Sequence, residues 1–178
     1  NEVAFSRGLY QGIEDCRAAH LLGLVEKLCP YGCIGLGSCI PECPFDAIVQ
    51  DDGLVRVLPD KCTGCGSCVD FCPRNVFSMI PEGHQVIVAC NSHDNAKKVK
   101  AYCSVGCVSC KACVHKEVKG KVRGCPHDAI RFDDGLAVID HEACTQCWEC
   151  VDMCRTKTII HVQEELPAKS GSREVTVA

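Results

Sequence analysis

The chain has 178 residues, 19 of them cysteine, and a formal net charge of −4, so thiol chemistry has to dominate any reading of it. An odd cysteine count, no secretory signal and no N-x-S/T acceptor exclude an extracellular disulfide scaffold, and the absence of a basic stripe excludes nucleic acid as a partner. No apolar run of about 18 residues is present to span a bilayer, and a first residue of Asn reads as a processed or truncated piece with room for an anchor upstream.

In chain order, residues 6–28 carry apolar side chains at Leu9, Ile13, Cys16, Leu21, Leu24 and Leu28, a spacing that predicts an amphipathic helix. "AIVQDDGLVRV" (47–57) predicts two short strands around an Asp-Gly turn, and "AIRFDDGLAVI" (129–139) predicts the same hairpin again. "VFSMI" (76–80) and "VIVAC" (86–90) read as a third strand pair turning at "PEGH", and "NAKKVKAY" (95–102) reads as a short helix.

The chain is built twice. "CPFDAIVQDDGLVRVLPDKC" (43–62) and "CPHDAIRFDDGLAVIDHEAC" (125–144) are identical at ten of twenty positions without a gap, at an offset of 82 that continues onto Cys65/Cys147, Cys68/Cys150 and Cys72/Cys154. Upstream, "CPYGCIGLGSC" (29–39) aligns with "CSVGCVSCKAC" (103–113) at an offset of 74; the difference is "VHKEVKGKVRG" (114–124), which replaces "IPE". The expected division is an N-terminal helical segment (1–27), a first module (28–80), a connecting segment (81–102), a second module (103–162) and a C-terminal tail (163–178). Modules of about 55 residues are marginal by themselves, so something inorganic should help to hold them together.

"CTGCGSCVDFCP" (62–73) has the C-x2-C-x2-C-x3-C-P spacing of a bacterial two-cluster ferredoxin. Three cysteines curl around one four-iron cluster, and the fourth, followed by proline, ligates the cluster of the partner motif. Carried through the repeat, cluster 2 takes Cys62, Cys65, Cys68 and Cys43, and cluster 4 takes Cys144, Cys147, Cys150 and Cys125. Cluster 3 takes Cys107, Cys110, Cys113 and Cys154. Cluster 1 has Cys33, Cys39 and Cys72 but Leu36 where the middle cysteine belongs. Either a three-iron cluster results, or Cys29 supplies the fourth thiolate; the second is favoured, although Cys103 stands at the matching place in the other repeat, where it is not needed. Small residues between ligands, such as Gly64, Gly66 and Ser67, suit a backbone that wraps closely around a cluster. Zinc ribbons do not use this crossed spacing.

The fold class expected is therefore α+β: two tandem dicluster ferredoxin-like modules with short hairpins and short helices. Cys16, Cys90 and Cys103 are left over and read as small buried hydrophobes, with a redox or ligand role as the alternative. The seven histidines have no metal-ligand spacing, Trp148 is expected to shield its cluster, and the basic insertion around Lys116, Lys119, Lys121 and Arg123 reads as a solvated loop. Beside a cluster, that loop suits an acidic electron carrier. Gly35 and Gly37 form G-x-G, but Ile40 stands where a third glycine would be, so there is no dinucleotide fingerprint. No nucleophile–base pairing stands out, and no substrate-converting active site is expected.

"YQGIEDCRAA" (10–19), "CPYGCIGLGSCIPECPFDAI", "DKCTGCGSCVDFCPRN" and "VACNS" together resemble the B subunit of the Rnf complex, an ion-translocating ferredoxin:NAD oxidoreductase, over about residues 8–162. The resemblance implies a membrane helix and a further cluster domain upstream, a place at the cytoplasmic face of the membrane, and electrons taken from reduced ferredoxin toward other subunits. It also implies four-iron clusters in the ferredoxin-type units, which supports Cys29. The sequence departs from the family pattern at the 114–124 insertion and at Arg155, where Pro is usual after Cys154. The resulting reading is a relay of single electrons through about four [4Fe–4S] clusters. The alternatives are a polyferredoxin subunit of another redox complex, such as a hydrogenase or dehydrogenase, and a protein whose clusters are structural or sensory.

Overall fold

The structure is a computed structural model in which residues 10–23, 27–51 and 53–162 are described. The chain divides into two compact units, with the boundary between Met79 and Ile80.

In the first unit, α1 (Cys16–Leu22) begins at Asp15, whose carboxylate accepts from the Ala18 N–H, and stops at Gly23 in the left-handed region (φ 66°). This helix is much shorter than the one expected over residues 6–28, and only part of that span is described. Its buried residue is Ala19, while Leu21 is 85 % exposed and Ile13, ahead of the helix, is 70 % exposed. The apolar spacing counted residues that the helix does not contain. The hairpin of β1 (Ile48–Asp51) and β2 (Leu54–Val57) pairs Asp51 with Leu54, and Gly53 ahead of β2 takes a left-handed φ of 68°. A one-turn helix, α2 (Ser67–Phe71), follows the cysteine loop. The core gathers Ile48, Val55, Val76 and Phe77 with Cys39, and Cys43, Cys68 and Cys72 pack against it.

The second unit repeats this plan with additions. Its hairpin, β6 (Ile130–Asp133) with β7 (Leu136–Ile139), turns through Asp134 (φ 41°) and Gly135 (φ 87°), the two positive angles that a tight two-residue hairpin demands. Helix α4 (Glu149–Met153) matches α2. The expected pairing of "VFSMI" with "VIVAC" does not form. Instead β3 (Val86–Val88) runs antiparallel to β8 (Ile159–His161), with Val86 opposite His161. Both strands bring apolar side chains, Val86 and Ile159, into the unit's own core, a gain that pairing with 76–80 would not provide. Residues 81–102 thus belong to the second compact unit, and "NAKKVKAY" forms α3 (Ala96–Tyr102), capped by the Asn95 side chain. The insertion is ordered as a hairpin, β4 (Lys116–Val118) with β5 (Lys121–Arg123), rather than a loop. The Cys125 N–H donates to the Cys113 carbonyl at its base, 2.8 Å away, so the hairpin springs from between two cysteines expected to serve different clusters.

Candidate metal centres

The cysteines of each C-x2-C run sit on loops whose backbone repeats position by position. Gly64 and Gly66 have φ 70° and 82°, and their counterparts in the second unit, Gln146 and Trp148, have 56° and 64°. Gly35 and Gly37 (90° and 73°) correspond likewise to Ser109 and Lys111 (52° and 56°). After the solitary cysteines, Asp46 matches Asp128 and Asn75 matches Lys157, all with φ between 50° and 56°. A residue with a β-carbon sits in this region only at a cost of about 1–2 kcal/mol. Its recurrence with different side chains means that the path of the backbone is what the site needs. Alternating right- and left-handed residues turn successive N–H groups to one side, the concave nest found around iron–sulfur and anionic groups.

Three voids are ringed by thiols. One is lined by Cys43, Cys62, Cys65 and Cys68, with Ile48, Val57 and Met79 in its walls. A second is lined by Cys125, Cys144, Cys147 and Cys150, with Val86, Ile130, Ile139 and Trp148 around them. In both, the solitary cysteine before proline faces the triplet that lies some twenty residues further along the chain. The sets expected for clusters 2 and 4 are therefore each brought together. Cys107, Cys110, Cys113 and Cys154 are also neighbours: burial, and then the other three thiolates, push the Cys113 thiol up to about 11.

The third void is lined by Cys33, Cys39, Cys72 and Cys16. Cys29, expected here, is not among the residues facing it. Its Sγ lies against Gly32, 3.6 Å from where a β-carbon on that glycine would stand, and its carbonyl accepts from Arg74 at 2.8 Å. Arg74 also donates to the Gly32 carbonyl and contributes to the wall of the void. Lys27 donates to the Cys33 carbonyl at 3.1 Å. Neither cation was singled out from the sequence, because nothing local marks Arg74 or Lys27 as facing a thiol cluster.

The electrostatics fit a group that takes up thiolate charge. Burial, and then the neighbouring Cys33, Cys16 and Cys72, push the Cys39 thiol up to about 12. Burial together with Cys125, Cys144 and Cys147 does the same to Cys150, again to about 12. Burial also raises Cys33 and Cys68, with Lys27 opposing the rise at Cys33. Four thiolates in such a space repel one another unless a cationic core shares their charge. The solitary cysteines are prepared for the anion by backbone donors: Ala47 N–H to Cys43 Sγ at 3.4 Å, Ala129 N–H to Cys125 Sγ at 3.4 Å, and Thr158 N–H to Cys154 Sγ at 3.2 Å. At Cys154, burial raises the thiol, but the N–H groups of Ile159 and Thr158 and the Thr156 hydroxyl together hold it below its ordinary value. Among the described residues, no three Cys, His, Asp or Glu side chains close on a point that would hold a single ion. The donor set, the void and the aimed N–H groups thus suit a compact iron–sulfur cube.

Residues 55–78 match the family described as the 4Fe-4S binding domain. Over longer stretches the chain is similar to three curated proteins, each the B subunit of an oxidoreductase complex. That of the Ion-translocating oxidoreductase complex of Methanosarcina acetivorans is 44 % identical over 151 residues, 84 % of this chain and 54 % of that protein. Its namesake in the Na(+)-translocating ferredoxin:NAD(+) oxidoreductase complex of Acetobacterium woodii is 44 % identical over 154 residues, 86 % of this chain and 44 % of that one. The third, from the Proton-translocating ferredoxin:NAD(+) oxidoreductase complex of Clostridium ljungdahlii, is 42 % identical over 153 residues, 84 % of this chain and 51 % of the relative. The likeness to this type of subunit read from the sequence therefore holds over most of the chain, which spans about half the length of the curated relatives it matches.

Proposed function

We infer, from the chain's kinship with the B subunits of ion-translocating ferredoxin:NAD oxidoreductase complexes, that it relays single electrons through four iron–sulfur clusters into such a complex. The observation that carries this reading is the crossed set of thiols: Cys43 with Cys62, Cys65 and Cys68, and Cys125 with Cys144, Cys147 and Cys150, each around a void in its own unit. Each unit is then a dicluster ferredoxin-like module. Clusters 2 and 4 are held by those two sets, cluster 3 by Cys107, Cys110, Cys113 and Cys154, and cluster 1 by Cys33, Cys39 and Cys72 with a fourth ligand. A bound four-iron cluster supplies one-electron transfer at a potential set by charge, burial and hydrogen bonds to sulfur.

The chain's own residues do the rest. The left-handed loops turn N–H groups toward the cysteine runs, Ala47, Ala129 and Thr158 donate to the sulfurs of Cys43, Cys125 and Cys154, and apolar side chains pack around the cysteines of each unit. Cys62 and Cys65, Cys110 and Cys147 are exposed, so three of the four sets have an edge open to a redox partner. The β4–β5 hairpin, with Lys121 and Arg123 exposed between Cys113 and Cys125, suits docking of an acidic donor such as reduced ferredoxin. No described helix is long and apolar enough to cross a membrane. Attachment at the cytoplasmic face through the other subunits, or through chain beyond this sequence, completes the proposal.

The test is the iron and sulfide content of anaerobically prepared protein, together with EPR of the reduced state. About sixteen irons per chain and several interacting reduced clusters are expected. A single reducible cluster, with the others inert, would overturn the relay.

A further inference from the structure

Cluster 1 is the one site whose ligands the repeat leaves open, because Leu36 stands where Cys110 stands in the second unit. The alignment that pairs Cys33 with Cys107 and Cys39 with Cys113 also pairs Cys29 with Cys103 and, further back at the same offset of 74, Cys16 with Cys90. Each unit therefore carries the same two extra cysteines ahead of its ligand loop. The structure separates their roles. Cys29 has its thiol turned against Gly32, and its carbonyl serves Arg74. Cys103, its counterpart, has its Sγ 3.5 Å from where a β-carbon on Gly106 would stand, the same backward arrangement. Cys16 instead lines the void with Cys33, Cys39 and Cys72. In the second unit Cys90 takes the matching place beside the ligand loop, where its Sγ accepts the Cys107 N–H at 3.4 Å. There a complete set of four thiols exists without it.

Cys16 is held in position from both sides. Its N–H donates to Ser38 Oγ at 2.8 Å, which ties it to the loop carrying Cys39. The next residue, Arg17, donates to the Phe71 carbonyl at 3.3 Å and lies 3.9 Å over the Phe71 ring, which ties it to the residue before Cys72. The start of α1 is thus docked on the two segments that supply the other ligands. We propose that Cys16, not Cys29, is the fourth thiolate of the cluster held by Cys33, Cys39 and Cys72, replacing from outside the loop the cysteine missing at Leu36. On this assignment Cys29 and Cys103 are matched structural residues. Cluster 1 is a complete four-iron site, and α1 is part of the first module. On binding, the Cys16 thiol loses its proton and forms one iron–sulfur bond, with no change of electron count.

The inference rests on the relay reading only in assuming that the chain carries clusters. Wild-type protein, Cys16→Ala, Cys16→Ser and Cys29→Ala are compared after identical anaerobic preparation of the full chain. The readouts are iron and sulfide per chain, EPR of oxidised and reduced samples, and far-ultraviolet circular dichroism. The expected result is about sixteen irons in wild type and in Cys29→Ala. In Cys16→Ala, iron falls by about one, with an oxidised three-iron signal, or by about four, while the signals of the other clusters persist. Cys16→Ser, able to ligate through oxygen, keeps its iron with a shifted cluster 1 spectrum. Loss of iron in Cys29→Ala with none in Cys16→Ala overturns the assignment. So does a wild type with about fifteen irons and a three-iron signal, or unchanged iron in both alanine variants. A wild type that holds no iron sinks the relay reading first and separately.

Discussion

The loop around Cys33–Cys39 and the loop around Cys107–Cys113 follow the same backbone path, yet they are surrounded by different charges. In the first unit, Arg74 stands two residues after Cys72 and lines the thiol void, and Lys27 is bonded to the Cys33 carbonyl. Burial pulls the Arg74 guanidinium down from its ordinary value, and the thiols of Cys29, Cys33, Cys72 and Cys16 pull it back up, as expected of a cation that faces a cluster of anions. In the second unit, the repeat puts Thr156 where Arg74 was. The Thr156 hydroxyl lies 3.8 Å from Cys154 Sγ, and the Thr158 N–H donates to the same sulfur. One site is tuned by whole charges and the other by dipoles. On the proposed relay, duplication kept the geometry that wraps a cluster and let the electrostatics diverge, which would give the two positions different potentials.

The largest effect that would sharpen this contrast is loss of an equivalent proposed ligand from each unit. Cys68→Ala should remove cluster 2 and about four irons per chain, and Cys150→Ala should do the same to cluster 4. Because metal binding here is part of folding, the first unit should suffer more. Among the described residues its core cluster holds five buried side chains, against nine in the second. Limited proteolysis of both variants checks this, and equal resistance of the two units would break the comparison.

Next in size is the charge itself. Arg74→Gln should lower the potential of cluster 1 by an amount on the order of 50 mV, the effect of removing one partly buried charge several ångströms away. Thr156→Val should lower that of cluster 3 by less, since only one weak donor is lost. Redox titration followed by EPR reads both. An Arg74→Gln shift no larger than that of Thr156→Val would mean that charge does not distinguish the sites.

The smallest effect concerns the backbone. Gly35→Ala should destabilise the first unit by roughly 2 kcal/mol, because φ is 90° and the new β-carbon would stand 2.5 Å from the Gly53 carbonyl oxygen. Gln146→Gly in the second unit relieves a left-handed non-glycine residue but removes the 2.8 Å bond that the Gln85 N–H donates to the Gln146 side chain, so its net effect should stay within about 1 kcal/mol. Thermal denaturation of the anaerobic proteins measures the difference. A loss of more than about 1 kcal/mol in Gln146→Gly would show that its bond to the Gln85 N–H outweighs the backbone strain.

Much of the fold was legible because the repeated segments are also the locally determined ones. The Asp-Gly dipeptides at 52–53 and 134–135 sit between strand-forming residues in the sequence, and both hairpins form, with Asp51 opposite Leu54 and Asp133 opposite Leu136. Two expectations failed for a common reason. The helix over 6–28 and the strand at 76–80 were read from apolar spacing alone, whereas Gly23 ends the helix and β8 competes for β3 from more than 70 residues away. The site followed the same rule. Cysteines within C-x2-C runs declare themselves by spacing, and the solitary ones by the proline or the repeat. Cys16 lies outside any run, and its counterpart Cys90 shares little with it beyond the thiol and the offset. The bond of its N–H to Ser38 and the docking of Arg17 on Phe71 bring it to the void.

The pairing of β3 with β8 has a consequence for biosynthesis. Every cysteine facing the voids of the first unit has left the ribosome once Cys72 emerges, so that half can take up iron while the remainder is still being translated. The second half cannot close until His161 is available to Val86. On the relay reading the second half is therefore completed last, and an oxygen pulse late in synthesis should injure it and spare the first.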